Sequence, residues 1–358
     1  MRILITGIHG FVGSNLVNYL ANNDELYGLD IISPEKDGVV KTYSWDDLVA
    51  GKIPEVDAII HLAGKAHDTK NLSSAETYFK VNRDLTIKIF DYFLAHDSIK
   101  KFVFFSTAKA AADRVDGVLT EDVVPSPVGP YGESKIAAEK YILEKFKDYQ
   151  ELVNSRTKNT SKDSENSTLT TNSQLSTLNS QLSSDSKPST INSTPPAKQV
   201  YIFRPCMIHG PGNKGNLNLL YGVVKKGIPW PLGAFENRRT FTSIENICFA
   251  VNGVLTKDVP SGIYNMGDDE ALSTNELIEE ICKSLGKKAH IWRLPKGFMT
   301  GVAKLGGMLH LPLNPERLQK LTENYVSSNE KIKKALGVDK MPVDAREGLQ
   351  KTLVSFQD

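Results

Sequence analysis

The sequence predicts an α/β protein: a doubly wound parallel sheet with helices on both faces, joined to a smaller C-terminal α/β region. Three observations predict it. Short apolar runs alternate with helically spaced stretches through the first half of the chain, the pattern of successive β-α-β units. The first apolar run passes directly into a glycine-rich turn and then an amphipathic helix. The alternation resumes with a strand at Gln199 to Arg204, after a long polar interruption.

The elements follow in order. Arg2 to Thr6 reads as the first strand and Phe11 to Leu20 as the first helix, with Glu25 to Asp30 and Val56 to Ala63 as further strands. Glu76 to His96 is a long amphipathic helix, with Phe79, Leu85, Ile89 and Phe93 among its apolar positions. Lys101 to Ser106 is a strand, because Phe102-Val103-Phe104-Phe105 is strongly β-forming. Tyr131 to Phe146, rich in Ala, Glu and Lys, is helical. From about Asn154 to Pro196 the chain is dominated by Ser, Thr, Asn, Lys and Gln, with no aromatic residue. It repeats itself, Asn172-Ser173-Gln174-Leu175-Ser176 recurring as Asn179-Ser180-Gln181-Leu182-Ser183. Such a stretch has too little apolar surface to offset its ordering entropy, so a disordered insertion in a helix-to-strand loop is expected. The expected organisation is 1–153 for the first part of a nucleotide-binding domain, 154–198 for the insertion, and 199–358 for its last strands and a substrate region. In that last part, helices are expected at Leu217 to Lys226, Thr274 to Leu285, Lys296 to Leu309 and Arg346 to Phe356. A strand-helix unit is expected at Thr240 to Leu255 and a strand at Ile263 to Met266.

Composition excludes several classes. The 358 residues carry 43 basic and 42 acidic side chains, a net charge of +1, so no nucleic-acid partner is expected. Cys206, Cys248 and Cys282 fit neither a zinc site nor a disulfide framework and read as buried thiols in a reducing cytosol. No metal is expected, because no cluster has ligand spacing. The N-terminal run is too short for a signal peptide, and no run of about 18 apolar residues exists. A cytoplasmic protein with no membrane partner is therefore expected.

The chemistry begins at Gly7-Ile8-His9-Gly10-Phe11-Val12-Gly13, between the first strand and helix. Glycines there let the backbone approach a pyrophosphate, which the helix N-terminus attracts. Asp30, at the end of the second strand, can accept from ribose hydroxyls and repel a 2′-phosphate, favouring NAD over NADP. Asp57 could contact the adenine or cap a turn. Tyr131-Gly132-Glu133-Ser134-Lys135 places Tyr131 and Lys135 on one helix face, where an ammonium would lower the phenol's pKa. Ser106 and Thr107 end the preceding strand at the sheet edge where ligands bind.

Taken together, these motifs resemble the extended short-chain dehydrogenases/reductases of the nucleotide-sugar epimerase/dehydratase family. The likeness rests on Thr6 to Gly13, Asp30, His61-Leu62-Ala63-Gly64, Ser106-Thr107 and Tyr131 with Lys135, in the family's order and spacing. The resemblance implies a Rossmann-type sheet and a cofactor site of Gly7, Gly10, Phe11, Val12, Gly13, Asp30, Leu62, Ala63, Gly64, Asn82, Tyr131 and Lys135. It implies Tyr131 as base, Lys135 on the nicotinamide ribose and Thr107 orienting the substrate hydroxyl. It makes Arg239, in Asn237-Arg238-Arg239-Thr240-Phe241, the holder of a nucleotide diphosphate, with Asn216 and Lys109 also on the substrate side. A homodimer through helices 76–96 and 131–148 is likewise implied. His61 reads as packed core, whereas His67 and His209 could face the pocket.

Departures from the family narrow the reaction. Dehydratases carry an Asp-Glu pair after the active-site Thr; here Ala108 and Lys109 stand there, which disfavours dehydration. Met207 replaces the usual asparagine. These features resemble UDP-sugar 4-ketoreductases of the UDP-N-acetylquinovosamine type, whereas Asp30 suits the tightly held NAD of 4-epimerases. The expected function is NAD-dependent epimerisation at carbon 4 of a UDP-hexose or UDP-N-acetylhexosamine. The alternatives are 4-keto-6-deoxy-sugar reduction for surface polysaccharide synthesis and, from another class, a non-catalytic dinucleotide sensor.

Overall fold

A computed structural model describes residues 1–66, 74–166, 197–213, 215–309 and 313–357, with backbone only for 156–166 and Asn216. Its centre is a seven-stranded sheet. From one edge to the other the strands are Gly262–Met266, Gln199–Pro205, Lys101–Phe105, Ala58–His61, Arg2–Thr6, Glu25–Leu29 and Lys41–Tyr43. Every pairing in it is parallel. The chain builds outward from Arg2–Thr6 in one direction, then returns to build the other half. The crevice where the order reverses lies beyond the carboxyl ends of Arg2–Thr6 and Ala58–His61, the place where open parallel sheets bind ligands.

Both faces of the sheet are covered, which is why its strands are nearly continuous in apolar residues. Ile3, Ile5, Val103 and Tyr201 pack against Leu16, Val17 and Leu20 of the Phe11–Leu20 helix and Val251 and Val254 of the Ile244–Thr256 helix. Leu4, Ile59, Phe102 and Phe104 pack on the opposite face against Phe90, Phe93, Ala138 and Ile142. Phe90 meets Phe102 edge-on with ring centroids 5.0 Å apart. The C-terminal region adds Leu217, Phe241, Leu277, Ile281 and Leu353 as a core of its own. A three-stranded sheet of Ala271–Leu272, Arg239–Ser243 and Met207–His209 links that region to the main sheet.

Several boundaries differ from expectation. The strand Lys41–Tyr43 and the helix Trp45–Val49 lie in a stretch left unassigned; the helix is capped reciprocally by Ser44 and Asp47. The helix expected over 76–96 runs Ala75–Phe79, then through a π-helical turn at Lys80–Asp84, into Leu85–Ala95. The helix expected to close near Phe146 spans Pro130–Asn166 and takes in the first residues assigned to the insertion; residues 167–196 lie outside the described residues. Asp57 sits at the amino edge of the sheet, where its carboxylate accepts from the Arg2 N–H at 2.7 Å, so its role is capping and not adenine contact.

Candidate active site

The glycine turn is shaped by close approach. Gly7 has φ +68°, and a Cβ on it would lie 2.9 Å from the Ala63 nitrogen. A Cβ on Gly13 would lie 2.6 to 2.7 Å from backbone atoms of Gly7 and Ile8. Only hydrogen fits at either position, so the cradle is built of backbone. Gly10 caps the Phe11–Leu20 helix without a side-chain hydrogen bond, which leaves its first-turn N–H groups and dipole for an anion. A dinucleotide pyrophosphate fits this cradle. Beside it, the Asp30 carboxylate accepts from the His9 N–H at 3.1 Å and the Ile31 N–H at 2.7 Å, at the end of its strand. Each of its carboxylate oxygens is thus held by a backbone N–H next to the cradle.

His61 fixes the second wall of the crevice. The Thr6 hydroxyl oxygen accepts from the Leu62 and Ala63 N–H groups, so its proton goes to His61 Nδ1 at 2.7 Å. The ring then donates from Nε2 to the Thr86 hydroxyl at 2.9 Å, and Thr86 donates to the Asn82 carbonyl. Burial pushes the imidazole well below its usual pKa, with the Lys135 charge adding to the effect. A neutral His61 with both nitrogens satisfied is a structural group, as the sequence suggested. The π-helical turn aims Asn82 inward: its amide donates to the Lys65 carbonyl and the Ser134 hydroxyl, and its oxygen accepts from the Lys65 N–H.

Tyr131, Lys135 and Glu139 follow one another on a single face of the Pro130–Asn166 helix. The Lys135 ammonium is buried, 4% exposed, and donates to the Phe105 carbonyl at 2.8 Å. Gly64 leaves room for it, since a Cβ there would lie 2.9 Å from Lys135 Nζ. Burial lowers the pKa of Lys135 to about 8, against an opposing pull from Glu139. The Tyr131 phenol departs from expectation. Burial raises its pKa, Thr107 lowers it through a hydrogen bond, and Tyr78 adds a small further rise. With its ammonium turned to Phe105, Lys135 does not produce the expected depression.

The two hydroxyls ending the Lys101–Phe105 strand divide their work. Thr107 faces Tyr131, whereas Ser106 donates to Glu139. Glu139 holds Arg204 through Nε at 3.0 Å and Nη2 at 2.5 Å in a fully buried pair beneath the site. Sequence reasoning passed over that pair; the signal was Glu139 one turn beyond Lys135, on the face already singled out.

On the substrate side, Arg238 is exposed and Arg239 points inward, its Nη1 donating to the Lys320 carbonyl at 2.7 Å. Burial lowers the pKa of Arg239 while Glu323 opposes it. Lys109 Nζ lies 3.1 Å from the Asp113 carboxylate, 3.9 Å from Glu323 and 4.6 Å from the Tyr325 ring. Lys109 and Arg239 thus converge on Glu323 and Tyr325, two residues the sequence reading did not select. Beside them the Cys206 thiol is pushed up to about 12 by burial, so it is unreactive. His209 does not face this pocket: it is buried, its Nδ1 2.9 Å from the Thr352 hydroxyl and its Nε2 3.5 Å from Asp268. Asn216 begins the Asn216–Lys225 helix, but its side chain and His67 lie outside the described residues. No group of side chains that could hold a metal occurs among the described residues.

Comparison with known proteins agrees with this geometry. Residues 3–181 match the model of the NAD dependent epimerase/dehydratase family. A UDP-glucose 4-epimerase of Vibrio cholerae is 27% identical over 319 residues, covering 82% of this chain and 78% of that protein. The N-acetyl-α-D-glucosaminyl-diphospho-ditrans,octacis-undecaprenol 4-epimerase of Escherichia coli O157:H7 is 24% identical, covering 93% of this chain and 85% of that protein. Among solved structures, MoeE5 in complex with UDP-glucuronic acid and NAD superposes with a TM-score of 0.68 at 18% identity, covering 100% of this chain and 99% of that one. A dTDP-glucose 4,6-dehydratase of Bacillus anthracis in complex with NAD gives 0.66 at 20% identity, with 100% and 96% covered. A glycine cradle, a Tyr-Lys pair at the carboxyl edge of a doubly wound sheet, and a family match over half the sequence lead to one conclusion: the chain is an NAD-dependent enzyme of the epimerase/dehydratase family.

Proposed function

We propose that the protein is a UDP-sugar 4-epimerase. The observation that carries the reading is the placement of Tyr131 beside Thr107 at the sheet edge, next to Lys135 and the glycine cradle. The absence of acids at Ala108 and Lys109 turns it away from dehydration. Relatives named as UDP-glucose 4-epimerases support the substrate class.

When bound, NAD supplies the acceptor and donor of the carbon-4 hydride. The cradle of Gly7, Gly10 and Gly13 with Phe11 and Val12 would hold its pyrophosphate, and Asp30 its adenosine ribose. Leu62, Ala63 and Gly64 would wall the crevice, and Lys135, with Asn82 bracing the neighbouring Ser134, would hold the nicotinamide ribose. Tyr131 moves the proton at the sugar's 4-oxygen. Its phenolate accepts that proton in the oxidative half, and its protonated form returns it in the reductive half. Thr107 holds the same oxygen and favours the phenolate by donating to it. Arg239 suits the diphosphate, because a guanidinium fork matches phosphate oxygens. Lys109 and Asn216 complete the substrate side. Holding the diphosphate while the hexose turns over lets one pocket serve both half-reactions. The three free thiols suit a reducing cytoplasm. A homodimer through the helical segments 76–96 and 131–148 completes the reading.

Lys109 and Met207 favour one competing reaction, reduction of a 4-keto sugar. The test is to incubate the purified protein with UDP-glucose, and separately UDP-N-acetylglucosamine, without added cofactor and to follow the carbon-4 epimer by proton NMR. Epimer formation supports the reading. No conversion, together with NADH-dependent reduction of a UDP-4-keto sugar, would replace it with the reductase.

A further inference from the structure

The Lys296–Met308 helix buries one side and leaves an apolar row on another. Met299, Ala303 and Gly306 are buried, the first two packing with Leu232 and Leu318. Phe298, Val302, Leu305 and Leu309 are 59%, 38%, 55% and 58% exposed. Their spacing of four, three and four residues aligns them along one edge of the helix. Met308, 76% exposed, lies beside the row, and Trp292, 53% exposed, precedes the helix. Scattered apolar surface residues are ordinary; a continuous row on a single helix marks an interaction surface.

Charge indicates the partner. Across residues 286–320 there are seven Lys or Arg and one carboxylate, Glu316, in a chain that as a whole carries a net charge of only +1. Lys288, Arg293 and Lys304 are exposed. Phe, Leu and Trp beside Lys and Arg is the composition of a helix lying in a membrane interface. At 13 residues the helix is about 20 Å long, which suits lying in the plane of a bilayer and not crossing it. No helix among the described residues is long and apolar enough to cross a membrane. A second copy of the chain is a poorer occupant, because a two-fold contact would set the same basic segment against itself.

We propose that this helix docks the protein on an anionic phospholipid bilayer, through Phe298, Val302, Leu305 and Leu309 with the surrounding lysines and arginines. The sequence reading expected no membrane partner because it sought a spanning run. The row emerges only once the buried side of the helix is known. The adjoining Pro315–Thr322 helix supplies the Lys320 carbonyl that Arg239 holds, so docking would bring the substrate cleft close to the lipid surface. The docking itself does not depend on which sugar is bound.

The full-length protein should co-sediment with vesicles of equal parts phosphatidylcholine and phosphatidylglycerol, and much less with phosphatidylcholine alone. Phe298→Ser with Leu305→Ser should lower the bound fraction about tenfold or more, with circular dichroism unchanged. Lys288→Glu with Lys304→Glu, which leaves the apolar row intact, should weaken binding and its salt dependence, and serves if the first pair does not fold. Wild-type protein that stays in the supernatant, or variants that bind as wild type does, would overturn the proposal. So would a fall in oligomer size caused by the Phe298 and Leu305 changes, which would make the row a contact between copies.

Discussion

Lys135 holds a buried charge whose cost can be titrated. Its pKa falls from 10.5 in an open chain to about 8 in the folded protein, mainly because burial disfavours the ammonium. A shift of this size corresponds to about 3 kcal/mol at pH 7, at about 1.4 kcal/mol per unit. The sign follows from linkage. Between the two values the unfolded chain binds the proton and the folded protein does not, so the destabilisation is fully present below pH 8 and fades as pH rises toward 10.5. Lys135→Met removes the group in both states. The stability difference between wild type and variant should therefore shift in favour of wild type by about 2 kcal/mol between pH 7 and pH 10. Urea denaturation of both proteins across that range measures it, and the subtraction cancels groups they share. A difference that stays flat with pH, or moves the other way, would refute the reasoning that the ammonium is held at the expense of folding.

Two other substitutions test the surroundings. Glu139→Gln leaves the buried Arg204 guanidinium without its carboxylate and should destabilise the protein by about 3–5 kcal/mol, read as a lower urea midpoint. With Asp30 proposed to hold the adenosine ribose, wild type should bind NADH more tightly than NADPH, and Asp30→Ala should narrow that preference in a fluorescence titration. Tighter binding of NADPH by wild type would contradict the role given to Asp30.

The half of the fold that places the cofactor was legible, because alternating apolar runs and helical periods report burial directly. Arg2–Thr6, Lys101–Phe105 and Phe11–Leu20 follow their apolar patterns nearly to the residue. Lys41–Tyr43 was missed because an edge strand of three residues has too few positions to show a period. The Asn154–Asn166 end of the long helix was missed because it has no apolar face for periodicity to find. The π-helical turn at Lys80–Asp84 keeps the composition of an ordinary helix, so the sequence could select Asn82 without revealing how it is aimed. Tyr131 and Lys135 were found by spacing. Their pKa directions depend on where the ammonium points and how much water is excluded, which spacing does not encode. His209 shows the same limit: a histidine near a pocket in sequence is bonded to Thr352 and sealed in the core.

The central claim is that the Tyr131 hydroxyl moves the proton at the sugar's 4-oxygen. It is tested most directly by Tyr131→Phe, comparing steady-state turnover of the UDP-sugar with NAD affinity in the same preparation. Phenylalanine lacks only the hydroxyl, so its ring can occupy the same space beside Tyr78. The account predicts that kcat falls by about 10²–10⁴-fold while the dissociation constant for NAD changes only slightly. Turnover within a few fold of wild type, with NAD still bound, would contradict it.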